Sequence, residues 1–190
     1  MREIVAHLTS ASVMEQGAPI RSIRKTGENG DVHEERTWRE RLHVNGDGYV
    51  FIPAMAIKIM LAECARFLSE TVPGKGKATY TKHFEAGVMV LDDIVLNVKA
   101  DDVQANRVFV PSDGKKGGGS RVWKNFPCIP AWEADVSILL VDPVLIAKPE
   151  KVKEYLEHAG KFIGLGVFRP RNGGTHGRFA VSNFKAKEDR

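Results

Sequence analysis

Hydrophobic spacing in this chain switches between a period of two and a helical period, in an order that few folds accommodate. Ile4, Ala6 and Leu8 against Glu3, His7 and Thr9 predict a first strand over residues 2–14. Behind Pro53, the residues Ile57, Met60, Leu61, Cys64 and Leu68 recur at helical spacing and predict a helix over 54–70. The β-branched run within 87–98 predicts a strand, and Arg107–Pro111 and Arg121–Phe126 flank a glycine-rich tip as a hairpin. Trp132, Ala134, Val136, Ile138 and Leu140 alternate with polar residues through 132–141. Pro149 then opens a second helix whose face carries Val152, Tyr155, Leu156, Ala159 and Phe162–Ile163, and 178–184 predicts a last strand. The polar stretch 16–45, with a charged run at 33–41 suited to a short surface helix, reads as an insertion or mobile loop. With that insertion and the hairpin set aside, the order is βαββαβ. This is the α+β ferredoxin-like or RRM arrangement, here with an N-terminal insertion and a basic β-hairpin at 107–126.

At 190 residues, 43% hydrophobic and 27% charged, the chain fits a single RRM-like domain and not a disordered or fibrous one. The most apolar window, Val136 to Ala147, is broken by Asp142 and Pro143, so no membrane span is expected. Glu3 and His7 interrupt any apolar leader, and Cys64 and Cys128 cannot form a disulfide framework. These features lead us to expect a reducing cytoplasm. Both cysteines read as small packed hydrophobes.

Charge is distributed unevenly. Residues 1–106 carry 13 basic and 15 acidic side chains, whereas 107–190 carry 15 and 9. Between Lys161 and Lys187 there is no carboxylate at all, a balance that suits a polyanionic partner. Within that stretch, Gly164, Gly166, Gly173 and Gly174 would let backbone approach a phosphate, with Arg169, Arg171, His176 and Arg178 to neutralise it. The alternative is a helix end followed by a solvated turn. At the hairpin, Lys115, Lys116, Arg121 and Lys124 surround glycines beside Trp123, the composition of a finger that tracks a nucleic-acid backbone. On the first helix Lys58, Ala62 and Arg66 share one face and either extend that positive surface or form a solvated one. No cofactor is expected, and the six dispersed histidines match no metal-ligand spacing. Asp31, His33 and His176 are the weak candidates for acid–base or metal-assisted phosphodiester cleavage.

Two segments resemble the RAMP superfamily, the RRM-fold RNA-binding proteins of CRISPR effector complexes. Tyr49 to Leu61, with Ile52-Pro53 and Lys58, is similar to the family's "IPGSSLKGxLR" strand-to-helix element, although Ala54 and Ile59 stand where the family has glycine. The loop ending in Gly177-Arg178-Phe179 is similar to its C-terminal glycine-rich loop. Compact phage-encoded proteins share this ending. The resemblance implies that Lys58 and the loop glycines lie at an RNA backbone and that the basic hairpin is a thumb interrupting guide–target pairing. It implies a single-stranded RNA partner, or single-stranded DNA, coated by a homo-oligomer or a multisubunit ribonucleoprotein. Cleaving members of the family use an aspartate in the insertion after the first strand, a position that Asp31 alone could fill. Two other readings are an endoribonuclease of this superfamily and a phage-encoded module that meets an acidic protein surface.

Overall fold

The computed structural model describes residues 1–114, 117 and 119–187. Its strands and helices follow in the order β1 (Arg2–Ser10), β2 (Met14–Glu15), α1 (Gly30–Thr37), β3 (Tyr49–Ile52) and α2 (Ala54–Leu68). Then come α3 (Thr81–Gly87), β4 (Val88–Val90), β5 (Ile94–Lys99), β6 (Gln104–Pro111), β7 (Arg121–Ile129) and β8 (Glu133–Leu140). The last elements are α4 (Pro143–Ala147), α5 (Pro149–His158) and β9 (Phe179–Ala186). The main sheet runs β4-β8-β1-β9 with every neighbouring pair antiparallel, which is the strand order of a ferredoxin-like βαββαβ core.

Register explains where the core sits. Ile4 pairs with Ile138, Ala6 with Val136 and Leu8 with Ala134, so one face of the two central strands is wholly apolar. The face is buried under α2 through Ile57, Met60, Leu61 and Cys64, and under α5 through Val152, Tyr155 and Leu156. Each such large side chain contributes about 1.5–3 kcal/mol on burial. Phe84 stacks on Tyr155 with centroids 4.3 Å apart. The opposite face, with Glu3, His7, Thr9, Glu133, Asp135 and Ser137, is open to solvent.

Several boundaries differ from the sequence expectation. The first strand ends at Ser10 because Ala11 and Ser12 turn their N–H groups to the Arg178 carbonyl, after which β2 joins the hairpin sheet β2-β7-β6. The segment 87–98 is two strands: Gly87 closes α3, β4 joins the main sheet, and β5 pairs with β3. Between them the Asp93 carboxylate accepts from the Ala54 N–H at 2.8 Å and caps α2, which Pro53 cannot do with its own side chain. The helix stops two residues early, at Leu68, because Ser69 adopts a left-handed conformation (φ 49°). After α5 a π-helical turn, Ala159–Ile163, inserts one extra residue. It buries Ile163 but turns Phe162 outward, so the two do not share the expected face. The turn also brings Gly160 against β9, where an added Cβ would lie 2.3 Å from the Phe179 carbonyl oxygen.

Candidate nucleic-acid interface

The β6–β7 hairpin is an eight-pair antiparallel ribbon, and its register places Phe109 opposite Trp123. Their rings lie 5.1 Å apart, and both are nearly half exposed, at 43% and 45%. Arg107 packs over Trp123 at 5.2 Å and Arg121 over Phe109 at 5.4 Å, so two guanidinium groups flank the aromatic pair. Trp123 and Arg121 were legible as candidates in the sequence. Phe109 and Arg107 were not, because only the register of the ribbon makes them neighbours; the signal is the shared period of two in Arg107-x-Phe109 and Arg121-x-Trp123. Lys115 and Lys116 lie outside the described residues.

The insertion braces this ribbon. Arg41 donates to the Asn125 carbonyl at 3.2 Å and pairs with Glu34 at 2.8 Å, while Glu34 also accepts from the Asn125 N–H at 2.9 Å. Both side chains are nearly buried, so loss of either partner would strand a charge. Within the insertion, Arg36 beside Glu28 holds that carboxyl far below its ordinary value. Backbone N–H groups of Arg21 and Ser22 bind Glu40.

The glycine loop is shaped by its own packing. At Gly166 (φ 82°) a Cβ would lie 2.3 Å from the Glu15 carbonyl oxygen, and at Gly174 it would lie 1.9 Å from that of Phe168. Its cations divide into two groups. Arg169 pairs with Glu63 on α2 at 2.8 Å, Arg178 donates to the Lys161 carbonyl, and His176 binds Glu15. Arg171 remains exposed and faces the hairpin. Elsewhere Arg66 pairs with Glu85, and buried Ala62 separates it from Lys58, so these two do not form a continuous cationic stripe.

Between hairpin and loop lies a groove of about 590 Å³, with Val110, Lys124 and Phe126 on one wall and Val167, Phe168 and Arg171 on the other. Phe126 and Phe168 meet edge to face at 5.2 Å across it. The groove wall and the Phe109–Trp123 pair are opposite faces of one ribbon. The start of α2 reaches the same region, since Pro53 and Ala56 line a smaller cavity that shares Val167 with the groove. The structure therefore brings together Lys124, Arg171 and the loop that carries Gly164, Gly166, Gly173 and Gly174, and it leaves Arg121 and Trp123 on the far face of the ribbon.

The weak catalytic candidates are each engaged apart. Asp31 faces Arg107 at 3.8 Å, His33 binds Glu28 at 3.2 Å, and His176 binds Glu15. Burial pushes the Cys64 thiol up to about 12 and raises that of Cys128, so neither is poised as a nucleophile. Among the described residues no cluster of His, Cys, Asp and Glu is arranged to hold a metal ion, and no helix is long and apolar enough to cross a membrane.

No protein-family model and no curated protein matches the sequence. The fold, however, is similar to solved structures. One is a chain in the cryo-EM structure of the Type III-B Cmr-beta bound to cognate target RNA, at 11% identity and a TM-score of 0.59 over 97% of this chain and 60% of that one. A second is the crystal structure of Cmr6 from Pyrococcus furiosus, at 14% identity and a TM-score of 0.51 over 95% and 98%. The present chain thus spans about 60% of the length of the first neighbour.

Proposed function

We propose that the protein binds single-stranded RNA along the hairpin and the glycine loop, as a subunit repeated along the strand within a ribonucleoprotein. The observation that carries this reading is the hairpin itself: an exposed Trp123–Phe109 pair flanked by arginines on one face, and on the other a groove bordered by Lys124 and Arg171. Bases stack on aromatic faces whatever their identity, and cations beside them hold phosphates, so affinity is sequence-tolerant and salt-dependent. The open face of the main sheet is a poorer path, because its central strands present Glu3, Glu133 and Asp135 to solvent. Likeness to a chain of the Cmr-beta structure bound to target RNA supports the same reading. Repetition along a strand would use heterologous contacts between copies, which need not close into a ring.

The test is fluorescence anisotropy with an unstructured RNA oligomer and a DNA oligomer of equal length across a salt series. Tight binding at low salt, with log K falling by about 0.7 per decade of salt for each phosphate neutralised, is expected. No binding to either oligomer at low salt overturns the proposal. Light scattering on RNAs of increasing length tests repetition: particle mass should climb by whole subunits, and one subunit per RNA at every length overturns it.

A further inference from the structure

Val167 also lines a second cavity, of about 250 Å³, walled by Met14, Gln16, Ile52, Pro53, Ala56 and Leu165 and bordered by His43. His43 also borders a third depression, of about 400 Å³, with Pro19, Val44 and Phe51. The three depressions are therefore neighbours, the first two sharing Val167 and the last two sharing His43. We infer that the middle cavity receives one unpaired nucleobase from the strand lying in the groove, with the edge of the base against the His43 imidazole. The inference rests on the nucleic-acid reading and adds to it a base-binding pocket.

Size and lining favour this occupant. The cavity falls just below the roughly 300 Å³ at which pockets for larger ligands begin, so it suits one flat ring system and not a nucleotide with its sugar and phosphate. Its walls are mostly apolar, with Gln16 and His43 the polar exceptions and no cation among them, which favours a base unstacked from its neighbours over a hydrated phosphate. Cations stand next door and not inside: Lys124 and Arg171 border the adjoining groove, where the backbone of the same nucleotide would lie.

His43 is set up as the polar group of the pocket. Its ring packs on Phe51 with centroids 5.5 Å apart, and the His43 backbone N–H donates to Gln16 Oε1 at 2.8 Å. Gln16 is held in turn by its Nε2 donating to the Phe51 carbonyl at 2.8 Å. Among the described residues neither imidazole nitrogen has a hydrogen-bond partner. Burial lowers the His43 pKa, against a weaker pull from Asp93, so near neutral pH the ring offers one donor and one acceptor. A base edge presents the same pairing of groups.

The experiment compares affinity for an unstructured RNA with affinity for an abasic ribose-phosphate oligomer of equal length. Because Trp123 also stacks bases, the quantity read is the ratio of the two affinities in wild type, Ala56→Phe and Trp123→Ala. Filling the cavity in Ala56→Phe should cut that ratio by about tenfold, the scale of one lost base contact, and Trp123→Ala should cut it independently. A second measurement needs no bulky variant: the His43 imidazole NMR resonances, assigned with His43→Gln, should shift with RNA and not with the abasic oligomer. An unchanged ratio in folded Ala56→Phe, or His43 resonances that respond alike to both oligomers, overturns the pocket and leaves RNA binding standing. Failure of the wild type to bind either oligomer overturns the nucleic-acid reading and the pocket with it.

Discussion

The His176 imidazole, in the glycine loop, places Nδ1 2.8 and 2.9 Å from the two oxygens of Glu15, a carboxylate whose side chain is wholly buried. Asn106 of β6 donates to the same carboxylate at 3.2 Å, and the Val167 N–H donates to the Glu15 carbonyl at 2.9 Å. One residue of a two-residue strand thus ties together both walls of the groove. His176→Ala should leave the buried carboxylate short of a partner and cost about 2 kcal/mol or more in urea unfolding. Adding Glu15→Gln to it should recover part of the loss, and equal stabilities of all three proteins would show that the pair contributes nothing.

Glycine substitutions should separate the loop from ordinary surface turns. Gly166→Ala and Gly174→Ala force a Cβ into backbone carbonyls, so each should destabilise by about 2 kcal/mol or more. At Gly46 an added Cβ meets nothing within 4 Å, and Gly46→Ala should stay within about 0.5 kcal/mol of wild type. Thermal unfolding of the three variants checks the contrast.

Stacking and charge make distinct contributions to RNA affinity. Trp123→Ala should weaken binding by about 1–3 kcal/mol with no change in salt slope. Lys124→Ala and Arg171→Ala should each weaken binding and flatten the slope by about 0.7–1. Salt titrations by anisotropy distinguish the two behaviours, and a flattened slope in Trp123→Ala would count against stacking.

Two histidines should respond to pH with opposite signs. A hydrogen bond that His7 Nδ1 donates to the Asp135 carboxylate at 2.8 Å is the main cause raising the His7 pKa above its ordinary 6.5. Protonated His7 therefore stabilises the fold fully below about pH 6.5, and that stabilisation fades as pH rises through its folded-state value. Burial lowers His43 from 6.5, so the wild type loses stability as pH falls through about 6.5, where the unfolded chain takes up the proton more readily. His7→Gln should thus be destabilising mainly at about pH 5, while His43→Gln should lessen the loss of stability on going from about pH 8 to about pH 5. Denaturant unfolding at both pH values measures each difference.

Local pattern was enough to locate the two central strands of the main sheet, the two long helices and the hairpin. Period-two alternation in Ile4–Leu8 and Trp132–Leu140, and helical spacing in Ile57–Cys64, follow from which side chains can share one buried face. Proline and glycine marked most of the ends, and Ser69, a left-handed residue that is not glycine, moved one of them. The charge imbalance and the candidates Arg121, Trp123, Lys124 and Arg171 were equally legible, because composition needs no geometry.

Tertiary structure alone decided which of these residues work together. Phe109 joins Trp123 only through the ribbon register, and Arg169 leaves the set of exposed cations only because Glu63 on α2 meets it. The loop glycines, whose spacing suggested a cradle for phosphate, are required at Gly166 and Gly174 by contacts with Glu15 and Phe168. Glu15 was unremarkable in the sequence, yet a polar side chain at 1% exposure must find its partners wherever the fold brings them, here 91 and 161 residues along the chain.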